Sequence, residues 1–426
     1  MKKALCASLY VAASVVFGFS FTSQASSAVT RGDVVQTYTT IAHAKFEDAR
    51  DAARDLQGAI ADLLNTPKTT TLDAARRAWK EARVPYMQTE VYRFGNPDVD
   101  DWEGRVNAWP LDEGLIDYVD TEMYGEQSDE NPWFQANIIA NPTLTIAGQD
   151  IDATVIDANL LQKMHEVDAL EANVATGYHA TEFLLWGQDL NGTGSGAGTR
   201  PATDFDLANC THGHCDRRAA YLKAAAQLLV DDLDEMVNAW APNGHITKEL
   251  IASAPHDAVR KMFVGMGSLS YGELAGERMK LGLMLHDPEE EHDCFSDNTH
   301  ASHYYNALGI QSIYTGKYTR RDGRILSKPG LAAILPKKER HELGQALTHT
   351  VSKMQTLFDL AEGGMAYDQM LAAENPLGNQ AIQGAVDALV AQTRVIERTA
   401  ATLDLDGLDV EGSDSLDAPE RVSLNN

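Results

Sequence analysis

The sequence predicts an all-α protein made of two helical bundles, each of the four-helix type. Apolar residues recur at three- and four-residue spacing over many turns in segments spread along the whole chain, which is the pattern of amphipathic helices. Strand signals are scarce by comparison. The segments amount to about eight long helices, too many for one four-helix bundle. Two bundles, with a break in the glycine-rich stretch 191–215, account for them.

The chain begins with the features of a secretory signal peptide. Lys2 and Lys3 precede a short apolar run that gives way to small residues, and cleavage is expected after Ala25. The run is too short to span a membrane, and no later apolar run reaches membrane length. The sequence therefore predicts that residues 1–25 are removed. The mature chain is expected to be exported and soluble or at most peripheral, without a transmembrane segment.

Residues 26–190 are predicted to form the N-terminal bundle. Helical periodicity covers 34–64 and 71–95, and Pro85 should kink the second of these helices. The sequences TLTIAG and ATVID, near 143–156, favour a small β-hairpin. A helix that carries the sequence GYHATEFLLWG closes this half.

Residues 218–403 are predicted to form the C-terminal bundle, after a loop at 191–217. The segments with helical periodicity in this half are 218–240, 257–285, 341–363 and 379–403. The residues from 404 to 426 are acidic and rich in Gly and Ser, so we expect a disordered tail.

The charge and the cysteines restrict the partners and the fold further. A formal net charge of −27 repels nucleic acid and anionic lipid, so no nucleic-acid partner is expected. Cys210 and Cys215 enclose the sequence CTHGHC, and a local disulfide is expected in an oxidising compartment. The alternative is a metal site that adds His212 and His214. Cys294 would remain unpaired beside such a disulfide.

The sequence GYHATEFLLWG places His179 and Glu182 three residues apart on a helix that is apolar nearly all round. Residues at this spacing share a helix face. A buried carboxylate is costly unless it is paired or bound to a metal, so Glu182 needs His179, an arginine or a cation as its partner. A buried hydrogen bond between the two is the structural interpretation, and metal ligation is the functional one. Gly177 would let another backbone or a ligand approach.

The helix alone does not complete a metalloprotease site. The inverted HxxEH form of the zinc motif needs a histidine at position 183, which is Phe183. Further ligands must come from other helices, and Glu90 is the candidate for a third, with an ordinary ion pair as the alternative. In the second half, Ser270, Glu273 and Glu277 lie on one stripe with small residues. They are candidates to line a site, although close helix packing explains the stripe as well.

The stretch HDPEEEHDCFSDNTHASH, residues 286–303, concentrates histidines among acidic residues. These histidines are His286, His292, His300 and His303. Imidazole and carboxylate groups suit iron, zinc or manganese. The alternative interpretation is a solvated, charged loop.

These motifs together resemble the imelysin-like family, also described as the insulin-cleaving membrane protease or iron-regulated protein A family. GYHATEFLLWG is similar to its GxHxxE signature, which falls on Gly177, His179 and Glu182. The stretches WKEARVPYMQTEVYRFG, VNAWPLDEGLIDYV, GSLSYGELAGERM and EEEHDCFSDNTH are similar to its iron-regulated branch. The resemblance extends from about residue 35 to residue 400.

The resemblance implies two duplicated helical bundles with the GxHxxE helix near their junction. It implies a bacterial envelope protein that acts in iron acquisition and holds a metal ion or a metal-loaded ligand at His179 and Glu182. Iron is the first candidate metal and zinc the second. The partners would be iron or an iron-loaded ligand, with an envelope transport component as a further candidate.

The family is classed as a metallopeptidase, although its helices lack a recognised zinc-protease motif. A metal-dependent peptidase of the insulin-cleaving type is therefore the alternative function. Whether the protein is an enzyme stays open, and no catalytic residue is assigned. A purely structural His–Glu pair, in a protein that binds a partner through its bundle junction, is the third hypothesis.

Overall fold

The computed structural model of the protein describes residues 28–120, 122 and 132–422. The predicted signal peptide, residues 1–25, lies outside these residues. Helices make up most of the described chain, and its strands form two small antiparallel hairpins. The predicted all-α class is therefore confirmed.

The helices and strands follow one another along the chain with short connections. The α-helices are α1 (Arg31–Asn65), α2 (Thr69–Met87), α3 (Pro97–Asn107), α4 (Glu113–Ile116), α5 (Ala158–Met164), α6 (Gly177–Trp186), α7 (Cys215–Trp240), α8 (His245–Ala252), α9 (Pro255–Ser268), α10 (Leu281–Leu285), α11 (Thr299–Thr315), α12 (Lys337–Glu362), α13 (Tyr367–Leu371), α14 (Pro376–Ala401), α15 (Asp414–Asp417) and α16 (Pro419–Val422). A π-helical segment, Leu269–Lys280, joins α9 to α10. The 3₁₀ turns are Glu90–Tyr92, Val167–Ala169, Ala202–Phe205, Pro288–Glu290, Cys294–Ser296 and Leu331–Ala333. The strands are β1 (Thr143–Ile146), β2 (Gln149–Asp152), β3 (Lys317–Thr319) and β4 (Ile325–Ser327).

The first bundle consists of α1, α2, α6 and α7. α1 packs against α2 and α7, and α6 closes the ring between those two helices. α1 begins with a capping box, in which the side chains of Thr30 and Asp33 each accept a hydrogen bond from the other's backbone N–H. Its apolar face places Phe46 and Leu56, both fully buried, in the largest hydrophobic cluster of the described chain.

α2 ends earlier than the sequence predicts. The expected helix over 71–95 stops at Met87, and the chain continues into the 3₁₀ turn Glu90–Tyr92. Pro85 lies in the last turn of α2, where it removes a backbone donor from the helix. The proline therefore marks the end of the helix, and the prediction of a kinked helix that continues to residue 95 is wrong.

The second bundle consists of the π-helical segment, α11, α12 and α14. α14 packs against the π-helical segment and α12, while α11 packs between α12 and the π-helical segment. The circular order of the helices is thus the same as in the first bundle. A second, smaller cluster of buried residues, including Leu274, Met354 and Leu389, forms its core.

The division between the bundles lies after α7. This helix packs closely along α1 and against α6, so it belongs to the first bundle. The predicted halves, 26–190 and 218–403, placed residues 218–240 in the second bundle because the loop 191–217 has the composition of a linker. α1 is 35 residues long and α7 is 26 residues long. Two helices of such length cover each other's apolar faces better than a short helix could.

The chain after α14 packs against the π-helical segment as far as Asp417, which differs from the disorder expected from residue 404. Gly272 lets it approach, since a Cβ there would lie 2.7 Å from the carbonyl oxygen of Glu411. Ser415 donates a hydrogen bond to the carbonyl of Gly276 at 3.0 Å. The acidic composition of the tail does not prevent docking, because its backbone and serine hydroxyls make these contacts.

The hairpin expected near 143–156 forms from β1 and β2, with Thr143 opposite Asp152 and Ile146 opposite Gln149. A second hairpin, β3 and β4, was not predicted. Cys210 and Cys215 form a disulfide with a Cα–Cα distance of 5.9 Å, and Cys294 is free. Among the helices that the structure describes, none combines the length and apolar character needed to cross a membrane.

Candidate metal centre

The GxHxxE helix, α6, begins where its backbone meets the end of α3. Gly177 has φ +81°, and a Cβ at this position would lie 2.6 Å from the carbonyl carbon of Val106. Glycine is therefore required both by conformation and by the close approach of a second backbone. Thr176 donates a hydrogen bond to the carbonyl of Arg105 at 2.8 Å and fixes the same junction. Every residue of α6 is buried.

Glu182 finds its partners within the protein. Its Oε2 lies 3.1 Å from Nδ1 of His179, and its Oε1 accepts a hydrogen bond from the backbone N–H of Ser296 at 3.0 Å. His179 is 1% exposed and Glu182 is fully buried. The Nε2 atom of His179 makes no hydrogen bond to any residue that the structure describes. The pair thus satisfies the carboxylate and leaves one imidazole nitrogen available.

The surroundings of this pair favour its uncharged forms. Burial, together with the positive charge of Arg83, lowers the pKa of His179 to about 3. Burial also raises the pKa of Glu182 well above its ordinary value, with the negative charge of Asp293 adding to the effect. A neutral imidazole is the form that ligates metals. A cation placed here would stabilise the ionised carboxylate.

His292 and Asp293 bring two more donors to His179. One donor atom from each of the three residues lies within 4.8 Å of the others, and all three side chains are buried. The rings of His179 and His292 meet edge to face, with centroids 4.8 Å apart. Two imidazoles and one carboxylate form a donor set that suits ferrous iron or zinc. These donors come from both bundles, because α6 belongs to the first and the segment before α11 leads into the second.

Arg83 of α2 already supplies a positive charge inside this cluster. Its Nη2 lies 2.6 Å from Oδ1 of Asp293 and 3.2 Å from Nδ1 of His292. The guanidinium packs 5.1 Å from the ring centroid of Tyr178 and is 1% exposed. The Arg83 charge lowers the pKa of Asp293, against the effect of burial. A metal ion that binds Asp293 must therefore share this carboxylate with the arginine or displace it.

Glu90, the predicted third ligand, does not join the cluster. Its carboxylate pairs with Arg278 at 2.8 Å, and both side chains are buried. The interpretation as an ion pair therefore describes Glu90 in this structure. Glu273 belongs to the same charge network, since it pairs with Arg278 and lies 3.4 Å from Arg93.

The predicted stripe of the second half is not a single surface. Ser270 donates a hydrogen bond to the carbonyl of Met266 and accepts one from Gln392 inside the bundle. Glu277 is exposed to solvent, away from both Ser270 and the network of Glu273. These residues lie on the π-helical segment, whose wider i→i+5 turns rotate side chains off the face that α-helical spacing predicts.

The histidine-rich stretch 286–303 is largely buried from residue 291 onward, so it is not a solvated loop. Nδ1 of His286 lies 2.7 Å from the carbonyl oxygen of Leu371. His303 is fully buried, its ring meets that of Tyr367 edge to face, and neither of its nitrogens bonds to a described residue. His300 is 7% exposed and packs against Phe358. Only His292 of this set joins His179.

Sequence reasoning missed Arg83 and Asp293 as members of the cluster. Arg83 had a local signal, because it stands between Trp79 and Tyr86 on one face of α2, where an arginine is expected to be buried against aromatic rings. Asp293 is 210 residues away along the chain, and no local pattern connects the two.

Comparisons with known proteins agree with this architecture. The family model described as Imelysin matches residues 42–396. Iron-regulated protein A of Synechococcus elongatus is 25% identical over 118 residues, which is 28% of this chain and 33% of that protein. The chain thus matches about a third of the length of this curated relative. A crystal structure described as an iron-regulated protein A precursor from Parabacteroides distasonis has a TM-score of 0.61 and 16% identity, and covers 88% of this chain and 97% of its own. The likeness to that structure concerns the fold.

Proposed function

The chain belongs to the imelysin family, and on that premise we propose that it binds a metal ion at the junction of its two bundles and acts in iron acquisition. His179, His292 and Asp293 would hold the ion, and iron is the first candidate, with zinc second. The protein would work in the periplasm or cell envelope after removal of residues 1–25. It would receive iron, or an iron-loaded ligand, and pass it to an envelope transport component.

One observation carries this proposal: the buried, unbonded Nε2 atom of His179 beside two further metal donors. A histidine kept only for a structural pair needs a single nitrogen, and Glu182 already engages Nδ1. The second nitrogen is desolvated without a hydrogen bond to a described residue, and such burial is costly unless something binds there.

The proposal changes the role expected for Glu182. Its hydrogen bond to Nδ1 of His179 is the carboxylate–histidine–metal arrangement, in which the carboxylate orients the ring and leaves Nε2 for the metal. The N–H of Ser296 holds the other oxygen of Glu182 and couples the helix to the segment that carries His292 and Asp293. Glu182 would act as a positioning residue and not as a direct ligand.

Iron is favoured over other metals for two reasons. A set of two imidazoles and one carboxylate is the donor set of many ferrous sites, although zinc accepts it as well. The relatives named above are called iron-regulated proteins. The peptidase alternative has less support, because an extended peptide would have to reach side chains that are at most 1% exposed.

Calorimetric titration tests the proposal directly. The mature chain from Ser26 would be titrated with ferrous iron under anaerobic conditions and with zinc. We expect His179→Ala to abolish binding at this site. We expect Glu182→Gln to weaken binding by about 10–100-fold, because the ring loses its orienting carboxylate. His256→Ala is the matched control, since this histidine is exposed, and it should bind as the wild type does.

Circular dichroism would establish that each variant is folded. Absence of binding to the wild-type chain, or equal affinity in His179→Ala, would contradict the proposal. His179 and Glu182 would then serve only to fix the register of the buried helix.

A further inference from the structure

Three aspartates converge close to the candidate metal centre. One of them lies on the same segment of the chain as Asp293. Asp297 follows Asp293 by four residues, Asp189 follows the end of α6, and Asp368 lies on α13. One carboxylate oxygen from each lies within 4.8 Å of the others. The two bundles therefore contribute to a second cluster, which consists only of oxygen donors.

The most buried member of this cluster has no ion pair and no side-chain hydrogen bond within the described chain. Asp368 is 2% exposed, and neither of its carboxylate oxygens accepts a hydrogen bond of good geometry from the described part of the chain. The N–H groups of Gln369 and Asp368 itself lie close enough to favour the ionised form slightly. Oδ1 of Asp297 and Oε1 of the fully buried Glu291 are unbonded within the same described residues. Unbonded carboxylate oxygens in the interior are costly.

Two of the three aspartates, Asp189 and Asp368, line one small pocket together with Glu289 and Glu291. Burial raises the pKa of Asp368 to about 7, and the charges of Asp297 and Asp189 contribute to the shift. Burial likewise raises the pKa of Glu289 to about 7. The negative charges repel one another, and no arginine or lysine of the described chain forms an ion pair with Asp189, Asp297 or Asp368.

Lys80 is the basic residue whose charge affects the pKa of an aspartate in this cluster. Its charge lowers the pKa of Asp297, although burial and Asp189 outweigh it. Lys80 packs with its ammonium group 5.9 Å from the ring centroid of Trp186. One lysine outside ion-pair distance cannot balance several carboxylates. The negative charge of the pocket is therefore uncompensated, and a bound cation would compensate it.

We propose that Asp189, Asp297 and Asp368 form a calcium site, with Glu291 on its inner wall. Calcium takes about 6–8 oxygen ligands and is commonly held by several carboxylates, whereas magnesium usually keeps several waters and takes one or two carboxylates. The three aspartates offer oxygen donors alone. A site of three carboxylates without nitrogen donors therefore favours calcium over magnesium and over the metals of the histidine cluster.

Thermal unfolding and calorimetry of the full mature chain test this site with calcium chloride as the probe. Millimolar calcium should raise the unfolding temperature of the wild type more than magnesium at equal concentration. Asp368→Asn should raise the unfolding temperature of the calcium-free protein, because a buried negative charge is removed. The same variant should lose the calcium-induced shift and weaken calcium binding at least about tenfold.

Asp101→Asn is the matched control, because Asp101 is an exposed aspartate, and it should keep the full calcium shift. His179→Ala should also keep it, which separates this site from the proposed iron site. If Asp368→Asn does not fold, Asp297→Asn must lose the shift in its place. Equal shifts with calcium and magnesium, or a full calcium shift in a folded variant of Asp368 or Asp297, would overturn the proposal.

Discussion

Arg83 supplies a buried positive charge at the junction of the two bundles. Its guanidinium balances Asp293, contacts His292 and is itself held by Asn107. The sequence could predict His179 and Glu182, because both lie on one face of a single helix. It could not predict the pair of Arg83 and Asp293, because residues 210 positions apart meet only through the folding of both bundles. The motif could therefore be predicted from the sequence, whereas the complete ligand set could not.

The close approach at Gly177 predicts a loss of stability on substitution. Gly177→Ala introduces a Cβ 2.6 Å from the carbonyl carbon of Val106, at a residue with positive φ. We expect the variant to be destabilised by about 2–4 kcal/mol, measured by urea unfolding. Gly148→Ala is the control, because Gly148 also has positive φ but has no atom within 4 Å of the added Cβ. A smaller loss at Gly177 than at Gly148 would show that the backbone contact is unimportant.

His165 predicts a pH effect with a defined sign. Its Nδ1 accepts a hydrogen bond from the N–H of Ala175, and its Nε2 lies 2.9 Å from the carbonyl oxygen of Gly104. Burial lowers the pKa of His165 from 6.5. A histidine whose pKa is lowered by folding contributes stability above its unfolded pKa, and this stability is lost as the pH falls below 6.5.

The comparison of wild type with His165→Asn isolates this contribution, since the other titrating groups are common to both. We expect the free energy of unfolding to fall more steeply for the wild type between neutral and mildly acidic pH. Parallel curves for the two proteins would contradict the prediction.

At the scale of single elements, the sequence predicted the positions of the helices better than their type, α or π. The segment 257–285 was identified as helical, and α9, the π-helical segment and α10 occupy it. The wider winding of Leu269–Lys280 has no signature in apolar periodicity, and it is the reason that Ser270, Glu273 and Glu277 do not form the predicted stripe. Disorder of the tail was predicted from its composition, which does not show that its backbone and serine hydroxyls dock on this segment.

The docking of the tail predicts the effect of a small change at Gly272. Gly272→Ala places a Cβ 2.7 Å from the carbonyl oxygen of Glu411 and 2.9 Å from that of Gly412. We expect the tail to detach, stability to fall by about 1–3 kcal/mol, and limited proteolysis to cleave after α14.

Gly384→Ala serves as the control on the adjacent α14, because the added Cβ comes no nearer than 3.7 Å to the Lys353 ammonium. It should stabilise the helix by about 0.5–1 kcal/mol. Equal resistance to proteolysis in Gly272→Ala and the wild type would mean that the tail does not depend on this approach.

At the scale of the whole molecule, the two bundles are joined by buried charge as well as by apolar packing. Arg83 and Glu90 come from the first half, and their partners Asp293 and Arg278 come from the second. Helical periodicity predicted two bundles, and composition predicted a strongly acidic surface. It could not predict that several of the acids lie inside, because burial of a carboxylate depends on a partner supplied by the other half.

The buried pair of Arg83 and Asp293 leads us to expect that removal of its arginine lowers the free energy of unfolding much more than removal of an exposed arginine. Arg83→Met leaves Asp293 buried without its cation, and we expect a loss of about 3–5 kcal/mol in chemical unfolding. The double variant with Asp293→Asn should recover part of this loss. Arg54→Met is the control, since its pair with Asp234 is exposed, and it should cost less than about 1 kcal/mol. Equal costs for the two arginines would refute the prediction.

The pair of Arg83 and Asp293 also constrains the order in which the two bundles can complete their folding during synthesis. The first bundle has all of its helices once Trp240 has been synthesised, yet Arg83 has no counter-charge until Asp293 leaves the ribosome. Glu182 likewise waits for the N–H of Ser296. Domains commonly fold during synthesis, N-terminal part first. Here the leading half would hold buried ionic groups unpaired at that stage, so its native packing is completed only when the trailing half has been synthesised.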